Sequence, residues 1–196
     1  VTSIEEATAA LTMPGAPFEM EVVTIRGVAT RVWKHALPDL GALLDQSRTH
    51  GDRLFTILDD ERVSFEANWR AVATLARAFQ DMGIRKGDRV ALAMRNLPEW
   101  PTCFFAIVSI GAIAVPLNAW WTGAELTYGI QDSGAKLLIV DGERYERIAQ
   151  HLGTMPAVER VIVSRADAIP PGATALDDIV GRPNDWANLP ATERPA

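Results

Sequence analysis

Val90-Ala91-Leu92-Ala93-Met94 is the stretch that most constrains the fold, and the turn Arg85-Lys86-Gly87-Asp88 leads directly into it. Five consecutive apolar residues suit a short strand that is covered on both faces, because a half-exposed strand would alternate apolar and polar side chains. Such strands are typical of parallel sheets flanked by helices. The stretch therefore predicts an α/β fold.

Further short apolar runs follow, with segments between them that have helical patterns. We expect strands over residues 112–115, 136–140 and 160–163, and helices over 64–82, 96–110, 122–133 and 143–152. Ser64 and Asn96 are predicted N-caps, and Thr122 and Glu125 have capping-box spacing. The alternation of strand and helix predicts a largely parallel sheet with right-handed crossovers and with helices on its faces.

The segments on either side of this layer have different compositions. Residues 1–20 contain several chain breakers and are expected to be loosely ordered. Residues 21–63 are predicted to be β-rich, with a turn or bulge at Gly27 and a hairpin that begins at Leu54. Residues 64–164 form the predicted α/β subdomain, and 165–196 are predicted to be a Pro-rich tail or linker.

Charge and composition exclude several classes of partner. The net charge of −6 argues against nucleic acid, which attracts basic surfaces, and against a polybasic membrane anchor. The one cysteine, Cys103, cannot form an internal disulfide, and the three histidines show no metal-ligand spacing. These features predict a cytoplasmic protein without a metal site, while peripheral contact with a membrane stays open.

No segment has the pattern of a signal peptide or a membrane span. Glu5 and Glu6 stand near the start, where a signal peptide would carry basic residues. The most apolar stretch, Cys103–Leu117, is shorter than the roughly 20 residues that a span requires. It is interpreted as a buried helix that runs into a buried strand, and no transmembrane segment is expected.

The strand-to-helix loops lack the usual nucleotide-binding and catalytic motifs. The loop at residues 95–99 contains no glycine, so it does not match a dinucleotide-binding loop, and no Walker pattern is present. No serine lies in a nucleophile elbow, and Cys103 is expected to be a buried, inert thiol. Arg95 is expected to be a solvated residue at a strand end rather than a contact for an anion. The sequence thus predicts no catalytic, cofactor-binding or metal-binding residue in this chain.

An ordered series of motifs nevertheless resembles a known family. The series runs through the segments 85–96, Pro98-Glu99-Trp100, 111–118, Trp120-Trp121-Thr122 and 132–136. It resembles the amino-terminal part of the large domain of acyl-CoA synthetases and fatty-acid–CoA ligases, and the resemblance covers roughly residues 37–152. Such a long ordered series is far more specific than any single motif.

The resemblance implies a two-step activity for a full-length enzyme. Family members use ATP and Mg²⁺ to form an acyl-adenylate from a fatty or other carboxylic acid, and they then transfer the acyl group to coenzyme A. The phosphate loop and the catalytic lysine of the family lie downstream of the matched region. We therefore expect this chain to be an inactive amino-terminal fragment that binds none of these cofactors itself.

The resemblance also suggests local roles. It makes Asn118, Trp120 and Trp121 candidates to line the acyl pocket, although the tryptophans could instead pack the end of the sheet while Asn118 caps a turn. Family members often dimerise, so a homodimer is a further expectation. The alternatives are an interaction or dimerisation module, an aryl–CoA ligase and a peptide-synthetase adenylation domain.

Overall fold

The structure is a computed structural model that describes residues 3–195. The chain divides into two compact units between Ala42 and Leu43. The helices are α1 (Ile4–Thr12), α2 (Leu40–Arg48), α3 (Phe65–Asp81), α4 (Glu99–Ser109), α5 (Gly123–Ser133), α6 (Gly142–Ile148) and α7 (Leu176–Val180). The strands are β1 (Met20–Ile25), β2 (Val28–Trp33), β3 (Leu54–Leu58), β4 (Glu61–Ser64), β5 (Arg89–Ala93), β6 (Ile113–Pro116), β7 (Leu137–Asp141), β8 (Arg160–Ser164) and β9 (Ala173–Ala175).

The smaller unit contains helix α1 and the antiparallel hairpin β1–β2. Ser3 and Glu6 form a reciprocal capping box at the start of α1, so Ile4–Thr12 of the predicted loose start form a helix. Val1 and Thr2, which belong to the same prediction, lie outside the described residues. Arg26 and Gly27 both have positive φ angles, 48° and 82°, as a two-residue hairpin turn requires.

The larger unit is built on a five-stranded sheet with the order β6-β5-β7-β8-β9. Every neighbouring pair of these strands is parallel, so the predicted α/β fold with a largely parallel sheet is confirmed. Strands β5 and β7 lie inside the sheet. Val90 pairs with Leu137 and Leu92 with Ile139, and all four side chains are fully buried.

The sheet separates two apolar layers because successive side chains of a strand point to opposite faces. Residues such as Leu92 and Ile139 face a cluster with α3, α4 and α7, whereas Leu138 and Val140 face a cluster with α5 and α6. Strand β6 is at the edge, and Ile113 on it is 50% exposed. The prediction that this strand is buried is therefore wrong, because no strand within residues 3–195 pairs with its outer side.

The predicted helix starts differ in outcome. The hydroxyl of Ser64 accepts a hydrogen bond from the Ala67 N–H at 3.1 Å, and Thr122 forms the expected capping box, so both caps are confirmed. The Asn96 cap is wrong. Helix α4 begins at Glu99 after Pro98, without a side-chain cap. The third residue of the helix is Pro101, which has no N–H for an N-cap side chain to bind, so the helix can begin without a polar N-cap.

The predicted tail is part of the fold as far as residue 195, while Ala196 lies outside the described residues. Strand β9 joins the sheet, α7 packs on it, and a 3-10 turn at Pro183–Asn188 carries the fully buried Trp186. The guanidinium of Arg70 donates to the carbonyls of Ala187 and Leu189, both at 3.0 Å. The prolines mark turns between these short elements instead of a linker.

None of the helices in residues 3–195 is both long enough and apolar enough to cross a membrane.

Candidate functional site

The carboxyl edge of the sheet has the topology of a ligand-binding crevice. The connection from β5 leads to β6 on one side, and the following connection returns to β7 on the other side of β5. In open parallel sheets, ligands bind outside the carboxyl ends of the strands at such a reversal. The loops after β5, β6 and β7 are therefore the place to search for functional side chains.

Arg95 and Trp120 form a stacked pair at this edge. Arg95 follows β5 and Trp120 follows β6, and the guanidinium carbon lies 4.1 Å from the centre of the indole ring. Trp120 is 70% exposed, although large aromatic side chains are usually well buried. Within the described residues the guanidinium of Arg95 forms no ion pair, so its N–H groups stay available to an acceptor. Arg95 is exposed, as the sequence suggested, but it is stacked rather than freely solvated.

The three candidate pocket residues have different environments. The Asn118 side chain accepts a hydrogen bond from the Trp120 N–H at 2.9 Å and so closes a turn. Trp121 packs against the cluster formed with α5, within reach of Gly129, where an added Cβ would lie 3.1 Å from the indole. Only Trp120 presents its ring to solvent. Contact with a ligand stays a prediction for all three.

Two surface grooves meet at Trp120. One, of about 360 Å³, is lined by residues that include Trp100, Pro116 and Asn118. The other, of about 330 Å³, includes Leu58 and Arg95. Their linings combine aromatic and aliphatic walls with a few amides and one cation, which is the usual composition of small-molecule sites.

A buried ion pair lies directly behind this surface. Asp141 ends β7 and Arg144 lies in the first turn of α6, with exposed fractions of only 4% and 1%. The carboxylate of Asp141 accepts from the guanidinium of Arg144 at 3.0 Å and from the Arg144 N–H at 2.9 Å. It also accepts from the Arg95 N–H at 2.9 Å. Asp141 therefore joins β5, β7 and α6 at the point where the strand order reverses.

The loop that carries Trp120 is held by two arginines of α6. Arg144 donates through Nε to the carbonyl of Ala119 at 2.8 Å. Arg147 donates to the same carbonyl at 3.2 Å and to that of Trp121 at 2.8 Å. The carbonyls of the two residues that flank Trp120 are thus both held by hydrogen bonds, although the Trp120 side chain is exposed.

A second polar cluster lies at the carboxyl end of β8. Arg165 donates to Glu99 at 2.8 and 3.0 Å and to Glu61 at 2.6 Å. Glu99 is only 2% exposed, and burial raises the pKa of its carboxyl group while the Arg165 charge opposes that rise. This cluster links β4, α4 and β8, and is best explained as a structural tie.

The phosphates of ATP do not fit the helix starts at this edge. Helix N-termini attract phosphate through their free N–H groups and positive dipole. Here a carboxylate lies at each of them: Glu99 is in the first turn of α4, Glu125 closes the capping box of α5, and Asp141 caps α6. Among the described residues, no group of three His, Cys, Asp or Glu side chains is placed to hold a metal ion.

Cys103 is not a candidate nucleophile. Its side chain is fully buried in α4, and burial raises the pKa of the thiol far above its usual value. A buried neutral thiol is neither nucleophilic nor accessible. The prediction that Cys103 is buried is confirmed.

The sequence analysis does not predict the network of Asp141, Arg144 and Arg147. A signal was present, because Asp141 follows a buried strand and precedes a helix, as an N-cap does. An arginine three residues after an N-cap normally suggests a solvated side chain. The burial of Arg144 depends on the Trp120 loop, which comes from a different part of the chain.

Comparison with known proteins agrees with this architecture. Residues 43–195 match the AMP-binding enzyme family, which is the whole larger unit apart from its last residue. The chain therefore belongs to the AMP-binding enzyme family.

Individual relatives are CoA ligases. The chain is 35% identical over 106 residues to a crotonobetaine/carnitine–CoA ligase of Salmonella paratyphi A, a match that covers 52% of this chain and 20% of that protein. The crystal structure of the anthranilate CoA ligase AuaEII with anthranoyl-AMP superposes with a TM-score of 0.65 at 26% identity, covering 80% of this chain and 28% of that one. The inhibitor-bound N-terminal domain of FACL13 from Mycobacterium tuberculosis superposes with a TM-score of 0.64 at 26% identity, and the match covers 82% of this chain and 38% of that one. The chain thus spans about a fifth of the length of the curated relatives it matches.

Proposed function

We propose that this chain is the amino-terminal part of a carboxylic acid–CoA ligase. The single observation that carries the proposal is the match of residues 43–195 to the AMP-binding family. The CoA-ligase relatives support the reaction class. In the whole protein, ATP would convert the acid to an acyl-adenylate with release of pyrophosphate, and the thiol of coenzyme A would displace AMP.

The chain's own contribution would be one wall of the site rather than the catalytic groups. A carboxylate lies at each helix start on the carboxyl edge and disfavours a further anion there, so triphosphate and Mg²⁺ would be held by other parts of the protein. The exposed indole of Trp120, with Asn118 and Trp121 in the same loop, would lie along the acyl group. We accordingly propose that residues 1–196 alone do not catalyse adenylate formation.

The acid itself is proposed only as a class. A fatty acid remains the leading substrate, and an aryl acid or the amino acid of a peptide-synthetase adenylation domain are the alternatives. The open grooves beside Trp120 are lined by both aromatic and aliphatic residues, which suits either an aryl or an aliphatic acyl group. A cytoplasmic location and the absence of a nucleic-acid partner remain proposals that the net charge of −6 supports.

The test is ATP–pyrophosphate exchange with a panel of fatty, aryl and amino acids. It would be run on this chain and on a longer protein that contains it. We expect exchange from the longer protein with at least one acid, and none from residues 1–196. Exchange by this chain alone would contradict its proposed inactivity, and no exchange by the longer protein with any acid would contradict the ligase assignment.

An interaction module is the second candidate, and the smaller unit provides the observation behind it. Helix α1 has no buried residue, and Val22, Val28 and Trp33 of the hairpin are 69%, 64% and 59% exposed. Exposed apolar side chains in such number are typical of surfaces that associate. Sedimentation across a range of concentrations would show a dimer if this unit self-associates, and a constant monomer mass would contradict it.

A further inference from the structure

The two sides of the Arg95–Trp120 pair are held by a single buried ion pair. Asp141 fixes the backbone of Arg95 through its N–H at 2.9 Å. Arg144, paired with Asp141, fixes the backbone next to Trp120 through the Ala119 carbonyl at 2.8 Å. Arg95 and Trp120 are 25 residues apart and on different strand ends. The hydrogen bonds of the Asp141–Arg144 ion pair thus reach the main chain on both sides of the stacked side chains.

We propose that the Asp141–Arg144 ion pair is a positioning element, which holds Arg95 and Trp120 as a joint contact surface for a planar ring that bears an anionic group. This rests on the proposed function, in which the loop of Trp120 lines the site. Arg144 is a positioning residue here, because it acts through the loop and does not reach the surface.

The geometry requires an arginine at position 144. Its side chain donates in two directions, to the Ala119 carbonyl and to the carboxylates of Asp141 and Glu143. A planar guanidinium can do this with fixed angles, whereas an ammonium group is a single point of charge on a flexible stem. A lysine would keep the charge but could not fix the loop and the carboxylate together.

The charge of the surface supports an anionic ligand. Arg95, Arg144 and Arg147 contribute three positive charges, and Asp141 and Glu143 contribute two negative ones. One positive charge therefore remains at this edge of a chain whose net charge is −6. That charge is on Arg95, whose guanidinium N–H groups have no carboxylate partner among the described residues. Arginine N–H groups bind carboxylate and phosphate, and an exposed indole binds planar rings by stacking.

The first test measures the stacking itself. Protons near the guanidinium of Arg95 should be shifted upfield in NMR spectra by the ring current of Trp120, and Trp120→Leu identifies that shift by removing it. We expect Arg144→Lys and the isosteric Asp141→Asn each to reduce the shift by at least half. The matched control is Arg165→Lys, which alters another multiply bonded arginine at a neighbouring strand end that does not touch the Trp120 loop.

The second test uses NMR spectra of the same chain to measure ligand contact. Benzoate and AMP share a planar ring and an anionic group, so the two titrations distinguish an aryl carboxylate from a nucleotide, while inorganic phosphate tests the anion alone. We expect one ring-bearing anion to move the Arg95 and Trp120 resonances, with affinity reduced about tenfold or more by Arg144→Lys and Asp141→Asn and less than about twofold by Arg165→Lys.

Several results would overturn the proposal. One is an Arg95 ring-current shift that is unchanged in both Arg144→Lys and Asp141→Asn. Another is a reduction of that shift in Arg165→Lys as large as in those two variants. A third is a lack of response of the Arg95 and Trp120 resonances to both benzoate and AMP. If inorganic phosphate binds as tightly as benzoate and AMP, the planar ring plays no part in binding. Failure of pyrophosphate exchange in the longer protein would contradict the ligase assignment without altering these spectra, so the two proposals can fail separately.

Discussion

The carboxylate of Glu99 receives two hydrogen bonds from Arg165, a residue 66 positions later in the chain. Glu99 begins α4 and Arg165 directly follows β8, so the pair connects the two halves of the larger unit. Arg165 itself has a positive φ of 51°, a conformation that L-residues rarely adopt. The ion pair thus accompanies a locally strained turn.

Arg165→Ala should destabilise the protein in a pH-dependent manner. It would leave Glu99 buried without its cation, at a cost of about 3 kcal/mol at neutral pH. Burial raises the pKa of Glu99 in the folded state, and removal of the Arg165 charge that opposes this rise would raise the pKa further. The loss should therefore shrink as the pH falls below the raised pKa of Glu99, and grow as the pH rises through it.

Chemical denaturation of Arg165→Ala at several pH values would measure this. The double variant Glu99→Gln/Arg165→Ala removes the buried charge and should lose most of the pH dependence. A stability loss that stays constant from acidic to neutral pH would contradict the role of Glu99.

Trp186→Ala should destabilise the larger unit by about 3–5 kcal/mol, since a fully buried tryptophan is removed and a cavity remains. Its indole N–H also donates to the Gly181 carbonyl at 3.1 Å. Trp120→Ala, at a site that is 70% exposed, is the matched control and should change the free energy of unfolding by less than about 1 kcal/mol. Equal stability of Trp186→Ala and the unchanged chain would mean that the carboxyl-terminal segment is a linker after all.

Glu66→Gln should destabilise the chain at neutral pH, and the loss should diminish as the pH falls below about 4.5. Glu66 bridges Arg48 at 2.8 Å and Arg70 at 2.9 Å, and hydrogen bonding to Arg48 is the main cause that lowers its pKa below 4.5. A lowered folded-state pKa gives stability that is present above the unfolded pKa and is lost as the pH falls through the folded one. We expect a loss of about 1 kcal/mol at pH 7.

Thermal unfolding between pH 3 and pH 8 would measure the effect of Glu66→Gln. Glu159→Gln is the control, because Glu159 is exposed and has no ion pair among the residues that the structure describes. A difference between Glu66→Gln and the unchanged chain that persists undiminished at pH 3 would contradict the ionic origin of the effect.

Gly123→Ala should cost about 2 kcal/mol, because an added Cβ would lie 2.2 Å from the backbone carbonyl oxygen of Arg147. The backbone must shift to relieve this, and the Trp120 loop next to it should shift as well. Gly153→Ala adds the same atom where no heavy atom lies within 4 Å, and should be neutral. Urea denaturation of both variants would show the contrast, which would be absent if α5 and α6 could separate freely.

The central strands and most helices of the larger unit could be predicted from the amino-acid sequence. The apolar runs of β5 and β7 predict strands covered on both faces, because only a sheet layered between helices buries every side chain of a strand. Ser64 and Thr122 mark helix starts by local hydrogen bonding, which needs no distant partner. The family resemblance also rests on contiguous motifs, and so was visible without a structure.

The details of the candidate site depend on tertiary contacts that the sequence does not reveal. Arg144 is buried because its guanidinium meets the Ala119 carbonyl, 25 residues away, and Arg95 stacks on Trp120 because two strand ends lie side by side. The carboxyl-terminal segment has a similar explanation, since its short elements gain stability only from packing on β8 and α3. Local propensity sets which elements form, whereas these contacts depend on distances between residues that are remote in sequence, which no local pattern specifies.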